Sequence, residues 1–182
     1  MHTLISIICT VFYVGLIPFA PGTFGSIAGV FFAYLLDFNV FALFVSSVIL
    51  FIVGYIFSDI YAQKKADHDP KEVVIDEVVG MFIALMICFW FVEFVGYYER
   101  KTVGLLVAHY QLYCDLIISF IAFILFRLFD IIKPSIIGKI DRQIEGGMGI
   151  MLDDVVAGLF AGLTFVVISP FFLLLYKIFY LS

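Results

Sequence analysis

The chain has 182 residues, 64% of them hydrophobic and only 14% charged, with a formal net charge of −5. That length is one domain, residues 1–182, and the acidic balance excludes nucleic acid as a partner, because such binding needs basic surface to displace counterions. The apolar residues lie in long blocks, and residues 1–36, 38–58 and 155–176 contain no Asp, Glu, Lys or Arg. Such blocks can cross a hydrocarbon layer that needs about 20 apolar residues. The expected fold is all-α, a polytopic membrane helical bundle of about four to six membrane helices or half-helices. A buried soluble helical core is the alternative.

In chain order, Leu4–Phe19 comes first. It has no Lys or Arg before it and no small-x-small cleavage site after it, so it reads as a retained segment that spans or re-enters. Pro21–Leu36 follows, with Pro21 suited to a first helical turn, where its missing N–H is not needed. Asp37-Phe38-Asn39 separates it from Val40–Phe57, and Val78–Val95, Leu112–Ile132 and Val155–Phe179 complete six segments. Backbone amides find no water in lipid, so helices satisfy them economically. Nothing resembles the alternating strands of a membrane barrel.

Cys9, Cys88 and Cys114 sit in apolar runs without metal or redox spacing and read as small buried hydrophobes. Tyr97, Tyr98, Tyr110 and Tyr113 are expected at a membrane interface. His2, His68 and His109 are not placed as ligands, and His68, between Asp67 and Asp69, reads as part of a solvated loop. Glu93 and Asp115 are expected towards the opposite membrane face from the polar tracts described next.

Residues 59–77 carry Lys64, Lys65 and Lys71, and residues 133–154 carry Lys133, Lys139 and Arg142. Arg100, Lys101 and Lys177 fall elsewhere, a bias of six against three that puts the first two connections in the cytoplasm. Four polar tracts then share that face. The first is Pro21-Gly22-Thr23-Phe24-Gly25-Ser26. Its glycines permit close backbone approach, a helix start there offers N–H groups to an anion, and Thr23 and Ser26 add hydroxyls. A plain turn is the structural alternative.

Asp76-Glu77-Val78-Val79-Gly80 opens an apolar helix. Two acids there either cap the helix, where the macrodipole favours each by up to about 1 kcal/mol, or bind a metal. Arg127, Asp130 and Lys133 fall three apart on one side of a helix that ends at Pro134. They make an i,i+3 salt bridge or a phosphoester site, with Arg gripping oxygens bidentately and Lys acting as a point charge. Asp153-Asp154 follow a glycine-rich loop, Gly146-Gly147-Met148-Gly149, and start a helix whose Ala157, Gly158, Ala161 and Gly162 permit close helix approach. Adjacent anions repel unless a cation or hydrogen bonds offset them. A carboxylate near the bilayer centre costs about 2.5–3.5 kcal/mol on insertion scales, so these charges ask for a function. The residues alone point to a membrane-boundary site for a divalent metal and an anionic group such as phosphate, because Mg²⁺ prefers oxygen ligands and shares its shell with substrate phosphate.

Four stretches resemble the phosphatidylglycerophosphatase A family of bacterial lipid phosphatases, in the family's order and over nearly the whole chain. They are Pro21-Gly22-Thr23-x-Gly25-Ser26, Val74-Ile75-Asp76-Glu77-x-x-Gly80, Arg127-x-Phe129-Asp130-x-x-Lys133-Pro134 and Gly146-Gly147-x-Gly149-Ile150-Met151-x-Asp153-Asp154-x-x-Ala157-Gly158. The resemblance implies Mg²⁺-dependent removal of the terminal phosphate of phosphatidylglycerophosphate, giving phosphatidylglycerol, in a multi-pass protein of the bacterial inner membrane with its site towards the cytoplasm. The chain departs from the family pattern at Ser135-Ile136-Ile137, where a further proline is usual.

On this reading Asp76, Glu77, Asp130, Asp153 and Asp154 form the metal shell, not all as direct ligands. Arg127 and Lys133 hold phosphate oxygens, helped by Gly22, Thr23, Gly25, Ser26 and the amides of residues 22–26. Asp130, Asp153, Asp154, Arg127 and Lys133 carry the catalysis. The competing class is a transporter or channel for a divalent cation, which predicts acids spread through the bilayer depth and a pseudo-repeat. No repeat is present, and the sequence sets no oligomeric state.

Overall fold

The computed structural model describes residues 2–68, 70–99, 111–134, 144 and 146–180. Among them are six α-helices and no strand: α1 (His2–Cys9), α2 (Pro21–Leu35), α3 (Val40–Lys65), α4 (Ile75–Glu99), α5 (Gln111–Ile132) and α6 (Gly146–Tyr180), with a 3₁₀ turn at Val14–Leu16. The fold is an all-α bundle with membrane helices. Helices α3, α4 and α6 are long and apolar enough to cross a membrane, and α2 is a shorter apolar helix. The 22 residues of α5 reach about 33 Å at 1.5 Å per residue, again a bilayer's thickness. Arg100, Lys101, His109, Tyr110, Lys139 and Arg142 lie outside the described residues, as do the side chains of His2, Tyr97, Tyr98, Tyr113 and Lys177.

The first apolar segment is not one helix. After Cys9 the residues Val11, Phe12 and Tyr13 all take left-handed backbone angles. Thr10 organises this break: its Oγ1 donates to the Ser6 carbonyl at 2.7 Å and accepts from the Tyr13 amide at 3.0 Å. A hydroxyl that serves the backbone on both sides competes with continued helix. The amide of Val74 then donates to the Cys9 carbonyl at 2.9 Å, pinning the end of α1 beside the start of α4.

Two other boundaries differ from the sequence reading. The glycine-rich stretch before Asp153 is not a loop, because Gly146–Met148 already form the first turn of α6. Asp153 and Asp154 therefore lie about two turns inside that helix. Helix α3 likewise continues past Phe57 to Lys65. Of the cysteines, Cys9 and Cys88 are buried as expected, but Cys114 is exposed on α5.

The central helix is α4, whose Val78, Val79, Met81, Phe82, Ala84 and Leu85 are all almost fully buried. Glycine draws its neighbours in. A methyl at Gly29 of α2 would lie 2.8 Å from the Met81 Cβ, and one at Gly162 of α6 would lie 2.7 Å from the Ile87 Cβ. Closer still, a methyl on Gly158 of α6 would run into the backbone of Gly80 on α4. Small residues let helix backbones approach this closely in lipid, where no hydrophobic force drives them together. The outer surface is the reverse, with Phe31, Phe41, Ile52, Phe120, Leu163 and Val167 all exposed.

Candidate active site

One end of the bundle collects the start of α2, the end of α3, the start of α4, the end of α5 and the first turns of α6. Asp76 and Glu77 occupy the first turn of α4. Across from them, Asp154 projects from α6, and one carboxylate oxygen from each of the three lies within 4.8 Å of the others. Asp76, Asp153 and Asp154 are only 7%, 8% and 4% exposed. Each acid pair repeats one local arrangement. The Glu77 amide donates to Asp76 Oδ1 and the Asp154 amide to Asp153 Oδ1, both at 3.0 Å.

Asp130 and Asp153 flank this trio and are already matched to cations. Arg127 Nη1 contacts Asp130 Oδ2 at 2.5 Å, an i,i+3 pair on α5. Lys133 Nζ contacts Asp153 Oδ2 at 2.8 Å. Lys133 reaches inward because α5 stops at Ile132 and Lys133 itself turns left-handed, its φ being 43°. Pro134 follows, and a residue before proline is disfavoured in the right-handed helical region, so the end of α5 is built into the sequence. Asp130 also acts electrostatically on both Glu77 and Asp154, so the five acids form one connected group.

The α2 tract meets this group from the side. Arg127 Nη1 donates to Ser26 Oγ at 3.4 Å, while the Ser26 hydroxyl donates to the Gly22 carbonyl at 2.8 Å. A methyl on Gly22 would collide with Glu77 Oε1 and approach Arg127 Nη1 to 3.1 Å, so glycine lets the α2 start close over both. Gly25 packs on the start of α4, its missing methyl 2.8 Å from the Val74 Cβ and 3.4 Å from the Glu77 Cβ. The amides of Thr23 and Phe24 donate to the Ala20 carbonyl at 3.0 and 3.3 Å. Of the amides of residues 22–26 expected to help hold phosphate, those of Thr23 and Phe24 are therefore already taken. Gly22, Ser26 and the half-buried Thr23 are what α2 brings to the site.

Two buried polar atoms here lack partners among the described residues, Glu77 Oε2 and Arg127 Nε. An unmatched carboxylate oxygen beside two further carboxylates is what a hard cation satisfies, and an all-oxygen donor set suits Mg²⁺ rather than a softer metal. An unmatched guanidinium N–H next to it suits an anion's oxygen. The residues present thus fit a divalent cation and a phosphate side by side.

A sequence model of the phosphatidylglycerophosphatase A family matches residues 7–169. The chain belongs to that family. It is 35% identical to phosphatidylglycerophosphatase A of Escherichia coli (strain K12) over 145 residues, 79% of this chain and 71% of the relative. The Haemophilus influenzae protein of the same name is 35% identical over 151 residues, 81% of this chain and 77% of the relative. A Bacteroides thetaiotaomicron protein provisionally named a phosphatidylinositol-3-phosphatase is 33% identical over 169 residues, 85% of this chain and 87% of the relative. No solved structure matches the chain. Membership makes the protein an enzyme, a phosphatase carried on membrane helices.

One residue at this end escaped the sequence reading. Asp59 of α3 accepts the Gly147 amide on Oδ1 at 3.2 Å and the Gln63 side chain on Oδ2 at 2.8 Å. The signal was present, since Asp59 is the first carboxylate after the charge-free run 38–58. His68, left out of the site, is exposed.

Proposed function

We propose that the chain hydrolyses phosphatidylglycerophosphate to phosphatidylglycerol and phosphate in a Mg²⁺-dependent reaction at the cytoplasmic leaflet of a bacterial inner membrane. The observation that carries this reading is the trio of buried Asp76 and Asp154 with half-buried Glu77, oxygens within 4.8 Å of one another, beside an Arg127 whose Nε is buried and unmatched among the described residues. Asp76, Glu77 and Asp154 would hold Mg²⁺, which when bound offsets phosphate charge and polarises its oxygens. Phosphatidylglycerophosphate is the substrate favoured by the two relatives named for that activity.

The protein's own groups divide the remaining work. Arg127 and Lys133 take non-bridging phosphate oxygens, Arg127 as a planar fork and Lys133 as a point charge. Asp130 and Asp153 hold those two bases in place before substrate arrives. Ser26 steadies the guanidinium from α2, and Thr23 lies one turn from Ser26 with its hydroxyl available to the head group. Water attacks phosphorus in line with the bond to the terminal glycerol oxygen. As the new P–O bond forms, that bond breaks and the glycerol oxygen leaves to become a hydroxyl. The water's proton passes to a carboxylate outside the cation's shell, Asp130 or Asp153, which gives a proton back to the departing glycerol oxygen. Charge gathering on the equatorial oxygens is stabilised by donors already fixed in position, which is where most of such a rate enhancement arises.

Orientation follows from charge. Lys64 and Lys65 close α3, Lys71 lies in the α3–α4 connection and Lys133 follows α5, all at the site's end. Basic residues at helix ends favour the cytoplasmic side. A transport reading has less support, because the acids gather at one end rather than along the bilayer depth.

The test is phosphate release by the purified chain in detergent, with phosphatidylglycerophosphate and phosphatidylinositol 3-phosphate supplied separately, each with Mg²⁺ and with chelator. Mg²⁺-dependent release, faster from phosphatidylglycerophosphate, is expected. Release that survives full chelation removes the cation from the mechanism. Faster turnover of the phosphoinositide moves the substrate assignment to the Bacteroides relative's named lipid.

A further inference from the structure

We infer that Asp59, outside the acid cluster, is a positioning residue that sets where Asp153 and Asp154 stand along α6. The inference rests on the site reading above. Asp59 Oδ1 accepts the amide of Gly147, 88 residues away in sequence, and so ties the first turn of α6 to α3. Its other oxygen is held by Gln63 Nε2 at 2.8 Å, one helical turn further along α3, which fixes the carboxylate's rotation. The start of α6 is shaped to receive it. Gly146 has a φ of +73°, and a methyl there would lie 2.6 Å from Asp59 Oδ1. A methyl on Gly147 would sit 3.0 Å from the Asp59 amide nitrogen and inside contact with the Tyr55 carbonyl.

Why such an anchor matters follows from what holds α6 elsewhere. Against α3 and α4 its close approaches run through glycine: Gly54 of α3 against Met151, Gly80 of α4 against Gly158, and Gly162 against Ile87. Against α5 it is held by Lys133 at Asp153 and by Phe129 at Phe160. Glycine interfaces bring backbones close but offer few side-chain interlocks against sliding or rotation. A hydrogen bond to a charged acceptor at the first turn adds an axial stop to the one that Lys133 gives at Asp153. Asp153 and Asp154 follow Gly147 by six and seven residues, about 10 Å along the helix. Both must face α4 and α5 at the depth of Asp76 and Lys133, so a small slip at Gly147 opens the trio. Groups that orient metal ligands from one step away commonly control metal affinity by roughly 10- to 100-fold.

The experiment uses the full chain in detergent, with Mn²⁺ binding followed by electron paramagnetic resonance without lipid, and phosphate release measured separately. Asp59→Ala is expected to weaken Mn²⁺ binding about 10- to 100-fold and to lower kcat with KM for the lipid little changed. Asp59→Asn, whose amide oxygen still accepts from Gly147, is expected to restore both. Gln63→Ala, at an exposed side chain, is expected to give a smaller loss in the same direction, and it carries the test if Asp59→Ala does not fold. Asp154→Asn is the reference. If it loses Mn²⁺ while Asp59→Ala and Gln63→Ala bind like the wild type, the inference fails and the site reading stands. An Asp59→Asn variant as impaired as Asp59→Ala also overturns it, since charge rather than the hydrogen bond would then matter. Wild-type binding by Asp154→Asn overturns the site reading and this inference together.

Discussion

The two ends of the bundle are made by the same helices and have opposite characters. At one end Asp76, Glu77, Asp130, Asp153 and Asp154 are packed among Arg127, Lys133 and the glycines of α2 and α6. At the other, Asn39, Phe41, Phe44, Met86, Trp90 and Glu93 line an open hollow of about 500 Å³. There Trp90 and Phe94 stack at 5.9 Å on the outside of α4, and Glu93 is exposed. The contrast shows what burying acids demands. Backbones must approach closely enough for separate helices to supply carboxylates and cations to one volume, and glycine permits that where aromatic side chains hold helices apart. Acids in such a volume cost free energy unless matched, which is why the proposed ligand site is placed at the acid-rich end.

Neutralising the acids tests the contrast most severely. Asp154→Asn and Glu77→Gln are each expected to lower phosphate release by about 100- to 1,000-fold, the scale for losing a preorganised electrostatic contact. Glu93→Gln, at the open end, should leave turnover at the wild-type rate. Retained thermal unfolding in detergent would show that the loss is chemical. Comparable losses at both ends would erase the distinction.

Next in size is the packing that makes the buried end possible. Gly158→Leu pushes a side chain into the Gly80 backbone, and overpacking of this kind costs about 1–3 kcal/mol. Its unfolding temperature should fall clearly. Leu163→Ala, one turn further along α6 at a side chain 57% exposed, should barely change it. If Gly158→Leu is as stable as the wild type, α4 and α6 are not held by close approach.

Much of this was legible from the residues. Charge-free blocks marked the membrane helices, and acids beside them marked the end where the structure gathers Asp76, Glu77 and Asp154, because lipid makes every unmatched charge expensive. The pairing of Arg127 with Asp130 follows from their i,i+3 spacing. Other features are tertiary and leave no periodic signal. Thr10 breaks α1 through hydroxyl contacts that an apolar count over Leu4–Phe19 does not register. The stretch Gly146–Gly149 reads locally as loop, since glycine weakens isolated helix by about 1 kcal/mol per residue. It becomes helix because Asp59 caps it and α3 packs against it. The partner of Lys133, Asp153, lies 20 residues on and across a helix boundary, beyond any local rule.

Arg127→Lys should have a smaller effect than loss of an acid. One Nη1 reaches both Asp130 and Ser26, and Nε is buried without a partner among the described residues. A lysine keeps the charge but cannot present a fork, so kcat/KM is expected to fall about tenfold, with most of the loss surviving saturating substrate. Unchanged kinetics would reduce Arg127 to a counter-charge for Asp130.

The smallest effect belongs to an ion pair at the same end but on its watery side. Lys65 Nζ meets Glu72 Oε1 at 2.7 Å, with the two side chains 45% and 33% exposed. The lysine's hydrogen bond holds the Glu72 carboxyl below its ordinary value of 4.5. A lowered folded-state value means the pair's contribution is fully present above about pH 4.5 and is lost as pH falls through the lowered value. Glu72→Gln should therefore unfold slightly earlier than the wild type near neutral pH, with the gap closing in acid and shrinking in high salt. Phosphate release should not change, because Glu72 touches none of the buried acids through its side chain. A gap that persists unchanged in acid would mean that Glu72 stabilises the α3–α4 connection through packing, and that charge at this end matters only where water is excluded.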